Sequence, residues 1–75
     1  MKAQEIIDLH VSDWNSQKTL YLVSKEEFET LLKELDVESS QLNQPNGDGT
    51  YYSVIEFQGK HFCYSGRNKI SGRIL

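Results

Sequence analysis

The stretch V-S-K-E-E-F-E-T-L-L-K-E-L, Val23 to Leu35, constrains this chain more than any other. Ser24 is placed to act as N-cap, its hydroxyl accepting from the Glu27 backbone N–H while the Glu27 carboxylate reaches back to the N–H of Ser24. Val23 before the cap and Phe28 inside the helix are spaced as a hydrophobic staple. Glu26 and Glu27 occupy the first turn, where the positive end of the helix dipole favours acids. Phe28, Leu31, Leu32 and Leu35 fall at i, i+3, i+4 and i+7, a single apolar stripe. Glu29 precedes Lys33 by four residues, the spacing of an exposed ion pair. Four large apolar side chains on one stripe require a surface to cover, and the remainder of the chain has to supply it.

That remainder reads mostly as strand. Residues 3–11 alternate, with Ala3, Ile7, Leu9 and Val11 on one side and Gln4, Asp8 and His10 opposite; Glu5-Ile6 break the pattern, so the predicted strand runs Ile7 to Val11, with a short helix as the competing reading. Asp13 to Gln17 is a turn by composition. Thr19 to Val23, T-L-Y-L-V, is rich in strand formers and would close a first hairpin before the helix. Glu38 to Gly49, E-S-S-Q-L-N-Q-P-N-G-D-G, is polar apart from Leu42 and reads as a flexible loop over 38–49. Tyr51 to Phe57 and His61 to Ser65 are strands around a Gln58-Gly59 turn. A two-residue turn sets Phe57 opposite Lys60, Glu56 opposite His61, Ile55 opposite Phe62 and Val54 opposite Cys63. One face then carries Tyr51, Ser53, Ile55, Phe57, Phe62 and Tyr64, the other Tyr52, Val54, Glu56, His61 and Cys63, and the first is the better partner for the helix stripe. The predicted fold class is α+β: a small antiparallel sheet in ββαββ order, with one amphipathic helix packed on one face. Residues 66–75 form a basic C-terminal tail, either a short edge strand or a frayed end.

Seventy-five residues make a single small domain with a small core. A lone cysteine, Cys63, excludes an intramolecular disulfide and a four-cysteine zinc site. No apolar run reaches membrane-spanning length, so the expectation is a soluble, cytoplasmic protein that engages no membrane. The net charge of −3 conceals an asymmetry. Residues 1–59 carry four basic against eleven acidic residues, whereas Lys60, Arg67, Lys69 and Arg73 follow without an acid. An acidic body argues against a uniformly basic nucleic-acid binder.

No motif names a reaction. Glu56, His61 and Cys63 share a predicted sheet face and are the residue types of a cysteine nucleophile, but the same trio is an ordinary cross-strand Glu–His pair beside a small thiol. His61, Cys63 and His10 lack any metal-ligand spacing, and Asn46-Gly47-Asp48-Gly49 lacks the spaced carboxylates of a calcium loop. No catalytic residue, metal or cofactor is therefore predicted.

Binding is better supported. Trp14 sits in a polar turn, where it either folds onto a core edge or serves as a contact anchor. Glu26, Glu29, Glu34, Asp36 and Glu38 make an acidic ridge against Lys25 and Lys33, and Tyr52 is a further candidate contact. The expectation is a non-enzymatic, acidic protein-interaction module that binds a basic surface of a larger protein. Its size and charge are those of inhibitors or regulators encoded by phages and mobile elements, an analogy rather than a motif. A homodimer joined by a sheet edge or by Ile74-Leu75 is a second possibility. The alternative is a nucleic-acid-associated protein using Lys60, Arg67, Lys69 and Arg73 near Phe62 and Tyr64.

Overall fold

The computed structural model describes residues 2–70. The elements run α1 (Ala3–His10), β1 (Leu20–Leu22), α2 (Lys25–Glu34), β2 (Ser39–Pro45), β3 (Tyr51–Phe57) and β4 (Lys60–Gly66). The four strands form one mixed sheet in the order β1-β4-β3-β2, with β1 parallel to β4 and the other two pairings antiparallel. The α+β class stands; the ββαββ order, the purely antiparallel sheet and the single helix do not.

Helix α2 forms as its sequence dictates. The Glu27 N–H donates to Ser24 Oγ at 3.2 Å and the Ser24 N–H to Glu27 Oε1 at 3.0 Å, closing the capping box. Phe28, Leu31 and Leu32 are buried, and Leu35 packs against the same cluster. On its outer side Lys25 Nζ lies 3.0 Å from Glu29 Oε2.

The strand expected over Ile7–Val11 is instead part of α1 and the residue that caps it. Ala3, Ile6, Ile7 and Val11 are all buried, at i, i+3, i+4 and i+8, a helical face. The alternating pattern needed Leu9 inside, and Leu9 is 65% exposed. Tertiary contact completes the helix: the Ala3 N–H, one of its orphan donors, reaches Glu34 Oε1 at 2.9 Å. With α1 helical, the first hairpin is lost. β1 has no earlier strand to pair with and docks beside β4.

The second hairpin has the predicted register throughout, Phe57↔Lys60 to Val54↔Cys63 and on to Tyr51↔Gly66. Both turn residues have positive φ, Gln58 at 52° and Gly59 at 80°, as a type I′ turn requires.

Residues 38–49, expected as a flexible loop, hold β2. It is polar because it is the edge strand and only one of its faces meets the core. A bulge between Gln41 and Gln44 turns Leu42 towards the core. At that bulge Asn43 has φ 56°, its N–H donates to Ser53 Oγ at 2.9 Å, and its side-chain amide clamps Ile70 from both sides. Asn43 Nδ2 donates to the Ile70 carbonyl at 3.0 Å, and the Ile70 N–H donates to Asn43 Oδ1 at 2.7 Å. Of the basic tail, Gly66 belongs to β4 and Ile70 is a core residue; residues 71–75, with Arg73 and Ile74-Leu75, lie outside the described residues.

Candidate functional site

Both helices pack on one side of the sheet. Tyr21, Ser53, Ile55, Lys60 and Phe62 point to that side and are buried, with the Tyr21 and Phe62 rings stacked at 5.5 Å between centroids. Strand alternation sends the neighbours of these residues to the opposite side, where no described element covers them. Reading across from β1, this open face presents Leu20 and Leu22, then His61 and Cys63, then Tyr52, Val54 and Glu56. Ser39, Gln41 and Gln44 complete it on β2. Leu20 is 55% and Leu22 70% exposed, and Tyr52 is exposed as well. Two exposed leucines on the edge strand, a tyrosine, Val54 and Cys63, with one Glu–His pair among them and amides and hydroxyls on β2, make this face largely apolar and poor in charge.

The Glu56–His61–Cys63 trio does share this face. Glu56 and His61 are cross-strand partners, and Glu56 accepts a hydrogen bond from Ser39 Oγ at 3.3 Å. Burial pushes the Cys63 thiol up from its ordinary value, which keeps it protonated at neutral pH. This is opposite to the shift that activates a nucleophile. His10 is on the other side of the molecule, where its Nε2 lies 3.3 Å from Glu27 Oε1, so it does not converge with His61 and Cys63. Among the described residues no group of three or more His, Cys, Asp or Glu could hold a metal ion.

The remaining predicted contact residues separate into different regions. Glu26, Glu29, Glu34 and Asp36 lie on or just after α2, across the sheet from Tyr52. Glu29 is paired with Lys25, and Glu34 is engaged in capping α1; Glu26 and Asp36 are exposed. Trp14 is 39% exposed, in the connection between α1 and β1. The six candidates thus lie in three regions: the α2 side, the α1–β1 connection and the open sheet face.

The basic cluster is divided too. Lys60 is only 3% exposed, and its Nζ donates to the carbonyls of Ser16 (3.1 Å) and Lys18 (2.6 Å). It therefore ties the α1–β1 connection to the hairpin and cannot reach a phosphate. Arg67 and Lys69 follow the far end of β4, about 20 Å away along a seven-residue strand. Both are exposed, with Lys69 Nζ 4.8 Å from the Tyr51 ring centroid.

Sequence reasoning missed the exposure of Leu20 and Leu22. The signal was present in L-Y-L: a strand covered on one side only must leave either the tyrosine or both leucines outside. Comparison with known proteins matches the chain to no family, no curated protein and no solved structure. No helix among the described residues is long and apolar enough to cross a membrane.

Proposed function

We propose that this domain is a non-enzymatic protein-interaction module whose docking surface is the open sheet face. One observation supports the reading above all others: a four-stranded sheet with one face sealed by two helices leaves Leu20, Leu22 and Tyr52 exposed on the other. The partner is a larger protein that offers an apolar patch in basic surroundings. The apolar patch matches Leu20, Leu22, Tyr52 and Val54 of the open face. The basic surroundings answer the acidic residues of the helix side, which steer encounter from a distance without forming the central contact. An inhibitor or regulator that occupies a basic surface is the functional form this takes.

The test is affinity capture from lysate of the source organism, with and without nuclease, comparing the wild-type chain with Tyr52→Lys and Val54→Lys. A stoichiometric protein that survives nuclease and is lost with either variant supports the reading. Capture unaffected by both variants overturns the assignment of the face. The second reading, nucleic-acid association, draws on Arg67 and on Lys69 beside Tyr51. It predicts recovered nucleic acid and capture that falls steeply with salt.

A further inference from the structure

The sheet has two edges, and they are built differently. On β2 the edge is interrupted: the register shifts between Gln41 and Gln44, Asn43 takes a positive φ, and Pro45 has no N–H to donate. Bulges and prolines are the means by which proteins stop an edge from templating another strand. β1 has none of them. It is Leu-Tyr-Leu, without charge, proline or bulge.

The hydrogen bonds of β1 to β4 show which of its backbone groups are spent. The Thr19 carbonyl accepts from the His61 N–H at 2.6 Å, and the Val23 N–H donates to the Cys63 carbonyl at 2.9 Å. Alternation along the strand then turns the N–H and C=O of Leu20 and Leu22 away from β4, toward the side on which no strand of the described residues lies. From this we infer that β1 is a self-pairing edge. Two copies of the chain join antiparallel across Leu20–Leu22, and the four-stranded sheet becomes eight-stranded. The inference goes beyond the proposed function, since it uses the backbone edge of β1 and a second copy rather than a larger partner.

A second copy is the occupant because L-Y-L reads the same in both directions about Tyr21. A two-fold axis there sets Leu20 opposite Leu22 of the second copy, and the converse, so the four outward-facing residues form two closely spaced hydrogen-bonded pairs. All four leucine side chains meet on the open face. Charge agrees with the same axis. Lys18, whose ammonium lies 4.8 Å from the Tyr21 ring centroid, comes opposite Ser24 of the second copy, beside the Glu26 and Glu27 that open its α2. A three-residue edge makes a small interface, so the dimer is weak and depends on concentration.

Sedimentation of the full chain from micromolar to millimolar concentration tests this. The wild-type mass rises from one chain toward two. Leu22→Pro removes one outward N–H per copy and leaves the Val23–Cys63 hydrogen bond in place; the variant keeps the wild-type circular dichroism and remains a monomer. Should that variant unfold, two double variants decide the question. Leu20→Lys with Leu22→Glu sets opposite charges across the axis and self-associates. Leu20→Lys with Leu22→Lys sets like charges there and associates about tenfold more weakly or not at all. A wild-type chain that stays monomeric throughout, or two doubles that associate equally, overturns the inference. Val54→Lys, on a strand not adjacent to β1, leaves the self-association intact, so loss of capture and loss of the dimer are read separately.

Discussion

The two faces of the sheet are made from the same strands and differ in almost every consequence. On β4, Phe62 is fully buried and its neighbour Cys63 only partly; on β1, Tyr21 is buried between two exposed leucines. Neither difference is one of hydrophobicity alone, since leucine is at least as apolar as tyrosine. What separates the faces is that α2 lies on one of them and α1 packs beside α2. The covered face accounts for stability, and the open face is free to carry contacts. On the proposed function, stability and recognition reside in alternating residues of the same strands, so adjacent substitutions should report on different properties.

The sharpest test of that division is Phe62→Ala against Leu22→Ser. The first removes a fully buried ring stacked on Tyr21 and should lower the unfolding free energy by about 3–5 kcal/mol, enough to unfold much of a domain this small. The second should change it by no more than about 0.5 kcal/mol. Denaturant midpoints measure both, and a Leu22→Ser loss as large as that of Phe62→Ala would break the comparison.

Lys60 is next in size. It belongs by position to the covered face but carries a charge there, satisfied by the Ser16 and Lys18 carbonyls. Lys60→Met keeps most of the stem and strands those acceptors, so a loss of about 1–3 kcal/mol is expected. Faster hydrogen exchange in residues 11–19 would place the loss in the connection that Lys60 holds.

Acid should loosen the cap of α2. The Ser24 N–H holds the Glu27 carboxyl below its ordinary 4.5, against the opposing effect of burial and with a further contribution from the His10 ring. A carboxyl whose folded pKa is depressed contributes stability that is fully present above the unfolded value and is lost as pH falls through the folded one. Glu27→Gln should therefore lower stability at neutral pH and flatten its decline below about pH 4.5. An acid limb identical to wild type would assign that decline to other groups.

The smallest effect is chemical. Because burial raises the Cys63 thiol, alkylation at neutral pH should be no faster than for an unstructured peptide cysteine. Faster reaction would return the Glu56–His61–Cys63 trio to consideration as a nucleophile.

How much of this was legible depended on whether the deciding interaction was local. The capping box of α2 joins residues three apart, and the Gln58-Gly59 turn sets the whole register of β3 on β4; both follow from short-range geometry. α1 was misread because nine residues of mixed apolar and polar pattern satisfy periods of 2 and 3.6 almost equally. The contact that completes it, Glu34 on the Ala3 N–H, spans 31 positions. β2 was misread because an edge strand needs little hydrophobic alternation, and its bulge is organised by Asn43 against Ser53 and Ile70. The candidate contact residues fared likewise. Their chemical types were readable, and the hairpin register already put Tyr52 on the face away from the α2 stripe, but nothing local supplied the Ser16 and Lys18 carbonyls that hold Lys60 inside.

By itself, then, the sequence determined the helix at Lys25–Glu34, the β3–β4 hairpin with its register and two faces, and the acidic balance of the body. Those are properties of neighbours in the chain. Only the tertiary structure decided that β1 runs parallel to β4, that α1 is a helix, and that both helices share one side of the sheet. That last choice leaves the other side open. Burial is a property of the assembled layers: a strand specifies which residues share a face, and the arrangement of everything else decides which face is covered.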